Sequence, residues 1–366
     1  MRTEFIEKKY LEEAVFSENA AVQPGIVQWK CPSNIALVKY WGKKQGHQLA
    51  LNPSVSFTLS KSVTQIKLEY SPAVGASGKC KDFLFNGLEK ADFRERIDTY
   101  LEIIAPYFPF LKRLDIKIET SNSFPYGAGI ASSASGFGAL ALSLVCMEEE
   151  LAGKKSDFYQ KASFMARLGS GSACRSAYGG FALWGKISSL NDSSDYYAIP
   201  LTDHIHKNFL NYRDAILIIG SEKKTVSSSA GHRLMDNHPF VEARVKQADK
   251  NIISLLSVLK SGDTKAFSNL VEHEALTLQA LMMTSNPGFI LLKGATLDVI
   301  SHIRQFRQDT GMPVCFTLDA GANVHLLYPG NIDDIVKQFI TGKLLKYCEN
   351  QQVIYDEIGN GPTKIQ

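Results

Sequence analysis

The sequence contains no C-x-x-C pair. Its six cysteines, Cys31, Cys80, Cys146, Cys174, Cys315 and Cys348, are scattered, several of them in apolar runs. In a chain this long they read as reduced core residues of a cytoplasmic protein, not as a disulfide framework or a zinc site. An excess of one charge is also lacking. Lys and Arg number 40 against 37 Asp and Glu, a net of +3, which argues against a general nucleic-acid binder and makes any attraction for anions local. The longest apolar stretch, Phe137 to Met147, stops at Glu148, Glu149 and Glu150. A bilayer span takes roughly 20 apolar residues, so no membrane partner is expected. The first residues, MRTEFIEKKYLEEAVF, carry charge throughout and no apolar core segment, so no secretory leader is expected. No G-x-x-x-x-G-K-[ST] occurs, which excludes a P-loop nucleotidase. Internal repeats and low-complexity tracts are missing too.

What is present is ordinary globular material: 366 residues, 45% hydrophobic and 21% charged, enough for two domains or one large one. Residues 1–25 are polar, with a weak helical pattern from Phe5 to Phe16, and read as an extension. Ile66, Leu68 and Tyr70 alternate with Lys67 and Glu69; Leu114, Ile116 and Ile118 alternate with Asp115, Lys117 and Glu119. Both patterns predict half-buried strands. The continuous apolar runs Ala215–Ile219 and Val314–Leu318 predict strands buried on both faces. Helical spacing joins Val241, Val245, Ala248, Ile252, Leu255 and Leu259. A second helix opens at Asp263 as N-cap and carries Ala266, Leu270 and Leu281. A third carries Leu297, Ile300, Ile303 and Phe306 and ends near Gly311. Strands and helices are mixed without strict alternation, which predicts an α+β class. A polar stretch after Ser188 places a domain boundary near 205, giving domains 26–205 and 206–366.

The most informative segment is PYGAGIASSASG, Pro125 to Gly136, between an alternating strand and an apolar helix. Small residues let the backbone approach a ligand, and the free N–H groups of a first helical turn face an anion. Ser132, Ser133 and Ser135 add hydroxyls for phosphate or a metal ion. Gly127-Ala-Gly129 also resembles the start of a dinucleotide G-x-G-x-x-G. The third glycine position is Ser132, however, and the acids at 148–150 end the same helix rather than a second strand. At this level a phosphate cradle and a serine-capped turn both remain open.

Three further clusters stand out. Lys39-Tyr40-Trp41-Gly42-Lys43-Lys44 puts aromatics beside cations. Gly169-Ser170-Gly171-Ser172-Ala173-Cys174-Arg175-Ser176 embeds a guanidinium in small residues. Asp319-Ala320-Gly321-Ala322-Asn323 sets a carboxylate at the end of a buried strand. Singly, each has a plain alternative: solvated lysines, a surface ion pair, a turn-capping Asp. His204 and His206 lie in a polar loop and His273 is alone on a helix, so no histidine set has metal-ligand spacing.

Taken together, NIALVKYWGKK, LNPSVSFTLS, SFPYGAGIASSASGFGALA, GSGSACRSAYGG, KTVSSSAG and FTLDAGANV resemble the mevalonate diphosphate decarboxylase (diphosphomevalonate decarboxylase) family of the GHMP kinase superfamily, from about Cys31 to Pro362. The resemblance implies a two-domain α+β fold, with a ribosomal protein S5 domain 2-like first domain and a ferredoxin-like second, and a homodimer. It implies ATP and Mg2+ and the decarboxylation of mevalonate 5-diphosphate to isopentenyl diphosphate in isoprenoid biosynthesis. The same fold acting on mevalonate 5-phosphate, a mevalonate 3-kinase, or an inactive ATP-binding paralogue are the alternatives.

Position by position, the resemblance makes Asp319 the group that orients or deprotonates the substrate hydroxyl, Arg175 the holder of its carboxylate and Lys39 the active-site lysine. Tyr40, Lys43, Ser170 and Ser172 fall to the diphosphate pocket. Gly127, Gly129, Ser132, Ser133, Ser135 and Ser228 fall to the nucleotide phosphates, with Ser133 also on Mg2+. Lys223 and Lys224 are as readily a solvated pair as ATP contacts. The chain departs from the family's usual pattern at Tyr126-Gly127, at His232 where a methionine is usual, and at Ala322 where proline is usual. His232 stands where a residue commonly lines the substrate pocket.

Overall fold

The computed structural model describes the chain apart from residues 1–2, 15, 17–21, 45–47, 74, 76–77, 126–129, 154–156, 222–225 and 227. Before residue 201 run helix α1 (Thr3–Glu13), strand β1 (Gly25–Ala36), the short hairpin β2 (Lys43–Lys44) and β3 (Leu49–Ala50), then β4 (Ser54–Pro72), β5 (Cys80–Phe85) and β6 (Leu88–Glu89). They are followed by α2 (Ala91–Ile104), β7 (Leu114–Asn122), α3 (Ser132–Ala152), α4 (Phe158–Gly169), α5 (Ala173–Ser176), β8 (Phe181–Trp184) and β9 (Ala198–Pro200). The 19-residue β4 is the spine. Its later half pairs with β1 and β7, and its first residues pair with β8. The alternation read at 66–70 is real: Ile66, Leu68 and Tyr70 are buried and lie in one core with Leu114, Ile116 and Ile118 of β7. That core is closed by α2, α3 and α4, and α3 contributes an apolar run from Phe137 to Met147.

The second half opens with the short helix α6 (Lys207–Leu210) and strand β10 (Tyr212–Leu217). After α7 (Ser228–Arg233), α8 (Val241–Ser261), α9 (Thr264–Met283) and α10 (Gly294–Thr310) come β11 (Cys315–Thr317), β12 (Val324–Pro329), β13 (Val353–Glu357) and β14 (Thr363–Lys364). The sheet order is β11-β12-β10-β13, antiparallel at each pairing. The two continuous apolar runs form two of its strands, β10 and β11; Ala215, Leu217 and Phe316 lie in one core with Leu326 of β12, and Ile216 and Cys315 in another with Leu327. Asp263 caps α9, accepting from Lys265 N at 3.1 Å and Ala266 N at 2.9 Å, and Gly311 ends α10 in the left-handed region. Leu297, expected on the buried face of α10, is exposed.

Two expectations about the chain ends need correcting. Within the supposed extension, Tyr10 is completely buried in the first core, its ring 5.1 Å from that of Phe164, so α1 is part of the domain. At the other end β14 leaves the second half and pairs with β1. The halves also share a core, in which Phe57 and Leu183 meet Phe209, Tyr212 and Ile252. Asp356 of β13 reinforces that junction: its carboxylate accepts the backbone N–H groups of Ser60, Lys61 and Ser62 at 2.7–2.9 Å. All six cysteines are buried and free. Among the described residues, no helix is long and apolar enough to cross a membrane.

Candidate active site

Lys39 and Asp319 meet although 280 residues separate them: Lys39 Nζ donates to Asp319 Oδ1 at 2.8 Å. Lys39 follows the end of β1, and Asp319 follows β11, so each sits where a buried strand gives way to irregular backbone. The Lys39 side chain is 2% exposed and that of Asp319 27%. An ammonium this buried is tolerated because the carboxylate partners it, while the partial exposure of Asp319 leaves the pair accessible from one side.

Arg175 approaches from α5. It is fully charged chemistry in a dry place, 2% exposed. Burial pushes its pKa down, and the nearby Asp319 carboxylate is among the groups that hold it up. Its Nε donates to Ser56 Oγ at 2.8 Å and one terminal nitrogen to Asn34 Oδ1 at 3.3 Å. Asn34 is fixed in turn by donating to Ser176 Oγ at 2.8 Å and Ser172 O at 3.2 Å. The remaining nitrogen, Nη1, is buried without a partner among the described residues. A guanidinium clamped on two nitrogens with a third unsatisfied is a fork prepared for an anion. Asn34 and Ser56 were not singled out from the sequence, though both lie inside motifs that were: NIALVKYWGKK and LNPSVSFTLS.

Tyr40 stands edge-on to Trp184 (centroids 4.8 Å) and lies 4.3 Å from the His232 ring, which also packs 4.6 Å from Trp41. The Tyr40 hydroxyl is buried with no partner among the described residues. Gly171 makes this approach possible, since a Cβ there would lie 2.8 Å from Trp184 and 2.9 Å from the Tyr40 oxygen. Gly231 of α7 does the same for Trp41, where a Cβ would come within 2.7 Å. His232 Nδ1 accepts the Gly42 N–H at 2.9 Å, which leaves the proton of the neutral ring on Nε2. Burial, with the Lys43 charge adding to it, pushes the His232 pKa down to about 3. Lys43 is itself lowered, by burial first and then by Arg233. Lys43 and Arg233 thus form a cationic edge beside neutral aromatics. Lys44, by contrast, is exposed and paired with Asp195 at 2.8 Å.

The serine-rich helix faces the same region from the first domain. Ser133 is exposed, and its hydroxyl lies 3.4 Å from that of Ser170, so the two small-residue loops meet. Ser132 Oγ accepts from Asn122 Nδ2 at 2.7 Å. Ala131, the N-cap of α3, has a left-handed backbone and offers no side-chain acceptor to the first turn; its carbonyl takes the Ala134 N–H at 2.7 Å, and a helix start without a side-chain cap suits an anion. Ser135 does not join them. It is completely buried, 2.6 Å from Thr64 Oγ1, and donates to Ser132 O at 3.2 Å; it secures the helix start. Gly127, Gly129, Lys223 and Lys224 lie outside the described residues, as does the side chain of Ser228 on α7. Among the described residues no cluster of three His, Cys, Asp or Glu side chains could hold a metal.

A two-layer α+β body whose halves meet over a buried Lys–Asp–Arg constellation, opposite an uncapped helix, is the GHMP kinase fold, and solved structures match it over nearly the whole chain. Mevalonate diphosphate decarboxylase from Staphylococcus aureus is 30% identical with a TM-score of 0.79, covering 94% of this chain and 99% of that one. The complex described as MDDEF with MVAPP, AMPPCP and magnesium is 26% identical with a TM-score of 0.78 and the same coverage. Residues 31–196 match the diphosphomevalonate decarboxylase-like N-terminal domain and residues 215–358 the mevalonate 5-diphosphate decarboxylase C-terminal domain. The diphosphomevalonate decarboxylase of Eremothecium gossypii is 30% identical over 314 residues, 81% of this chain and 76% of that protein. The chain belongs to the diphosphomevalonate decarboxylase family.

Proposed function

We propose that this protein uses ATP to decarboxylate mevalonate 5-diphosphate, giving isopentenyl diphosphate, ADP, phosphate and CO2. The observation that carries the reading is the convergence of Lys39, Arg175 and Asp319 from three distant segments. A tertiary alcohol is a poor leaving group, so the γ-phosphoryl group moves to the 3-hydroxyl first. Asp319, its carboxylate partly exposed, accepts the hydroxyl proton, and Lys39 beside it offsets the charge gathering on the phosphoryl oxygens. The C3–O bond then breaks, the electron pair leaving with phosphate. The C1–C2 pair collapses toward C3 as the double bond, and CO2 departs. Arg175 supplies its unpartnered Nη1 to the C1 carboxylate and keeps that bond aligned with the empty orbital.

Lys43 and Tyr40, with Ser170 and Ser172, hold the 5-diphosphate in this reading, and Arg233 extends the cationic edge. By the resemblance, the first turn of α3 with Ser132 and Ser133, the glycines Gly127 and Gly129, and Ser228 are the groups that take the nucleotide phosphates. Ser133, exposed at the start of α3, would help to hold a Mg2+ ion, which would neutralise phosphate charge there. Family membership supports a homodimer, which light scattering tests.

The deciding assay offers ATP and Mg2+ with mevalonate, its 5-phosphate and its 5-diphosphate in turn, following ADP and CO2 separately. CO2 formed only from the diphosphate supports the proposal. CO2 only from the monophosphate transfers the same chemistry to a substrate with one phosphate fewer. ADP without CO2 makes the protein a kinase.

A further inference from the structure

The main chain of Lys39 is gripped from the second domain. Its N–H donates to Glu274 Oε2 at 2.8 Å. Its carbonyl accepts from Arg244 Nη2 at 2.8 Å and from Asn52 Nδ2 at 2.9 Å. Arg244, on α8, and Glu274, on α9, are themselves joined by two bonds of 2.7 and 2.8 Å, and Asn251 Nδ2 donates to Glu274 Oε1 at 2.6 Å. Five residues further along α9, Gln279 Nε2 donates to the Asp319 carbonyl at 2.9 Å. One helix thus holds the backbone of both members of the Lys39–Asp319 pair.

An ion pair in the interior is a poor way to gain stability. Arg244 is 3% exposed and Glu274 completely buried, and stripping both of water costs about as much as their attraction returns. The site is not even fully satisfied: Arg244 Nε and Gln279 Oε1 have no partner among the described residues. Well-packed apolar side chains would fill the space at less cost. What they could not do is bind the N–H and the C=O of one peptide residue at once. Lys39 needs this, because its side chain is long and flexible and its head must meet Asp319 within a hydrogen-bond length. Burial alone would raise the Glu274 pKa, but Arg244, Asn251 and the Lys39 N–H outweigh it and hold the carboxyl ionised. From this arrangement we infer that Arg244, Glu274 and Gln279 are positioning residues that set the Lys39–Asp319 geometry for phosphoryl transfer. Their contacts run to the backbone of Lys39 and Asp319. The inference deepens the proposed function and rests on that reading in its kinetic part only.

The test compares Glu274→Gln with Glu272→Gln. Glu272 is a matched control two residues earlier on α9. It is also buried and also paired with arginine, to Arg304 Nε at 3.2 Å and to Arg307 at 2.5 Å, but it does not contact Lys39. Glu274→Gln should lower kcat about 10- to 100-fold, with KM moving less than about threefold. A crystal structure of that variant should show Lys39 Nζ and Asp319 beyond hydrogen-bond reach. Glu272→Gln should lose thermal stability and keep kcat. If Glu274→Gln does not fold, Arg244→Lys takes its place in both measurements, since it retains a cation for Glu274 but loses the reach to the Lys39 carbonyl. An unchanged Lys39–Asp319 distance together with unchanged kcat overturns the inference. Inactivity of the unaltered protein toward every mevalonate derivative would instead reject the proposed function, and the crystallographic comparison would still decide the positioning role.

Discussion

Asp319 Oδ1 accepts a 2.8 Å hydrogen bond from Lys39 Nζ, with the lysine almost completely buried and the aspartate partly open. The asymmetry assigns the two groups different work. In the proposed reaction the buried lysine is the fixed member of the pair, and the aspartate, 27% exposed, is the member that a substrate hydroxyl reaches. Asp319→Asn preserves shape and a polar contact but removes the base. It should fold with reduced stability, since the buried Lys39 ammonium loses its counter-charge, and lose about 10²–10⁴-fold in turnover, the usual contribution of a general base. ADP release under saturating ATP measures this, with circular dichroism as the check on folding. Near-normal turnover in a folded variant would take the proton-accepting role away from Asp319.

Arg175→Lys and Lys44→Ala should separate sharply. Arg175 engages Ser56 and Asn34 with two nitrogens while a third stays unpartnered. A lysine ammonium cannot make that divergent set of bonds, so carboxylate alignment should fail and kcat/KM should fall by about 100-fold or more. Lys44 is an exposed partner of Asp195. Such surface pairs contribute about 0–1 kcal/mol, so its loss should change activity by no more than about threefold. Equal and small effects in steady-state kinetics would contradict the assigned role of Arg175.

Which parts of this arrangement could be read without coordinates follows from how each residue signals itself. Alternation at Ile66, Leu68 and Tyr70 reflects a pleat with one wet face, and the Asp263 cap reflects a local bond to the next residues; both are encoded within a few positions. Lys39, Arg175 and Asp319 were accessible because they lie in distinctive small-residue and aromatic motifs. Ser135 was misplaced because a serine hydroxyl aimed at phosphate and one aimed at Thr64 look identical in a string of serines. Arg244 and Glu274 were missed for a related reason: on amphipathic helices a charge normally marks the solvent face, and only packing between helices and the Lys39 loop turns these two inward. The pairing of Thr363–Lys364 with β1 involves too few residues for any periodicity.

Asp356 should matter to stability far from the chemistry. Its carboxylate satisfies three consecutive N–H groups where β4 of the first domain passes β13 of the second. Asp356→Ala leaves those donors without their acceptor; Asp356 and Ser62 are buried while Ser60 and Lys61 are exposed, so the cost is about 2 kcal/mol. For a chain of this size that is a fall of roughly 3 °C in Tm. Scanning calorimetry should register it while KM for ATP moves little in the protein that remains folded. An unchanged Tm would mean that water or neighbouring groups replace the carboxylate.

His232 carries a prediction with a definite sign. The ring is neutral in the native protein because it is buried beside Lys43 and because its Nδ1 lone pair is committed to the Gly42 N–H; its pKa falls from 6.5 to about 3. Between those values the unfolded chain binds a proton at this position and the folded chain does not. Stability contributed here is therefore fully present above about pH 6.5 and is lost progressively as the pH falls toward 3. At pH 5 the loss amounts to about 2 kcal/mol relative to pH 7. His232→Met, which installs the side chain the family usually carries, removes the titrating group. Urea unfolding of both proteins at pH 7 and pH 5 should show the unaltered protein losing about 2 kcal/mol more than the variant. Every group other than residue 232 is common to the two proteins, so the comparison isolates that position. Parallel loss in the two proteins would show that the ring accepts a proton without leaving its place between Tyr40 and Trp41, and that the Gly42 contact does not lock its protonation state.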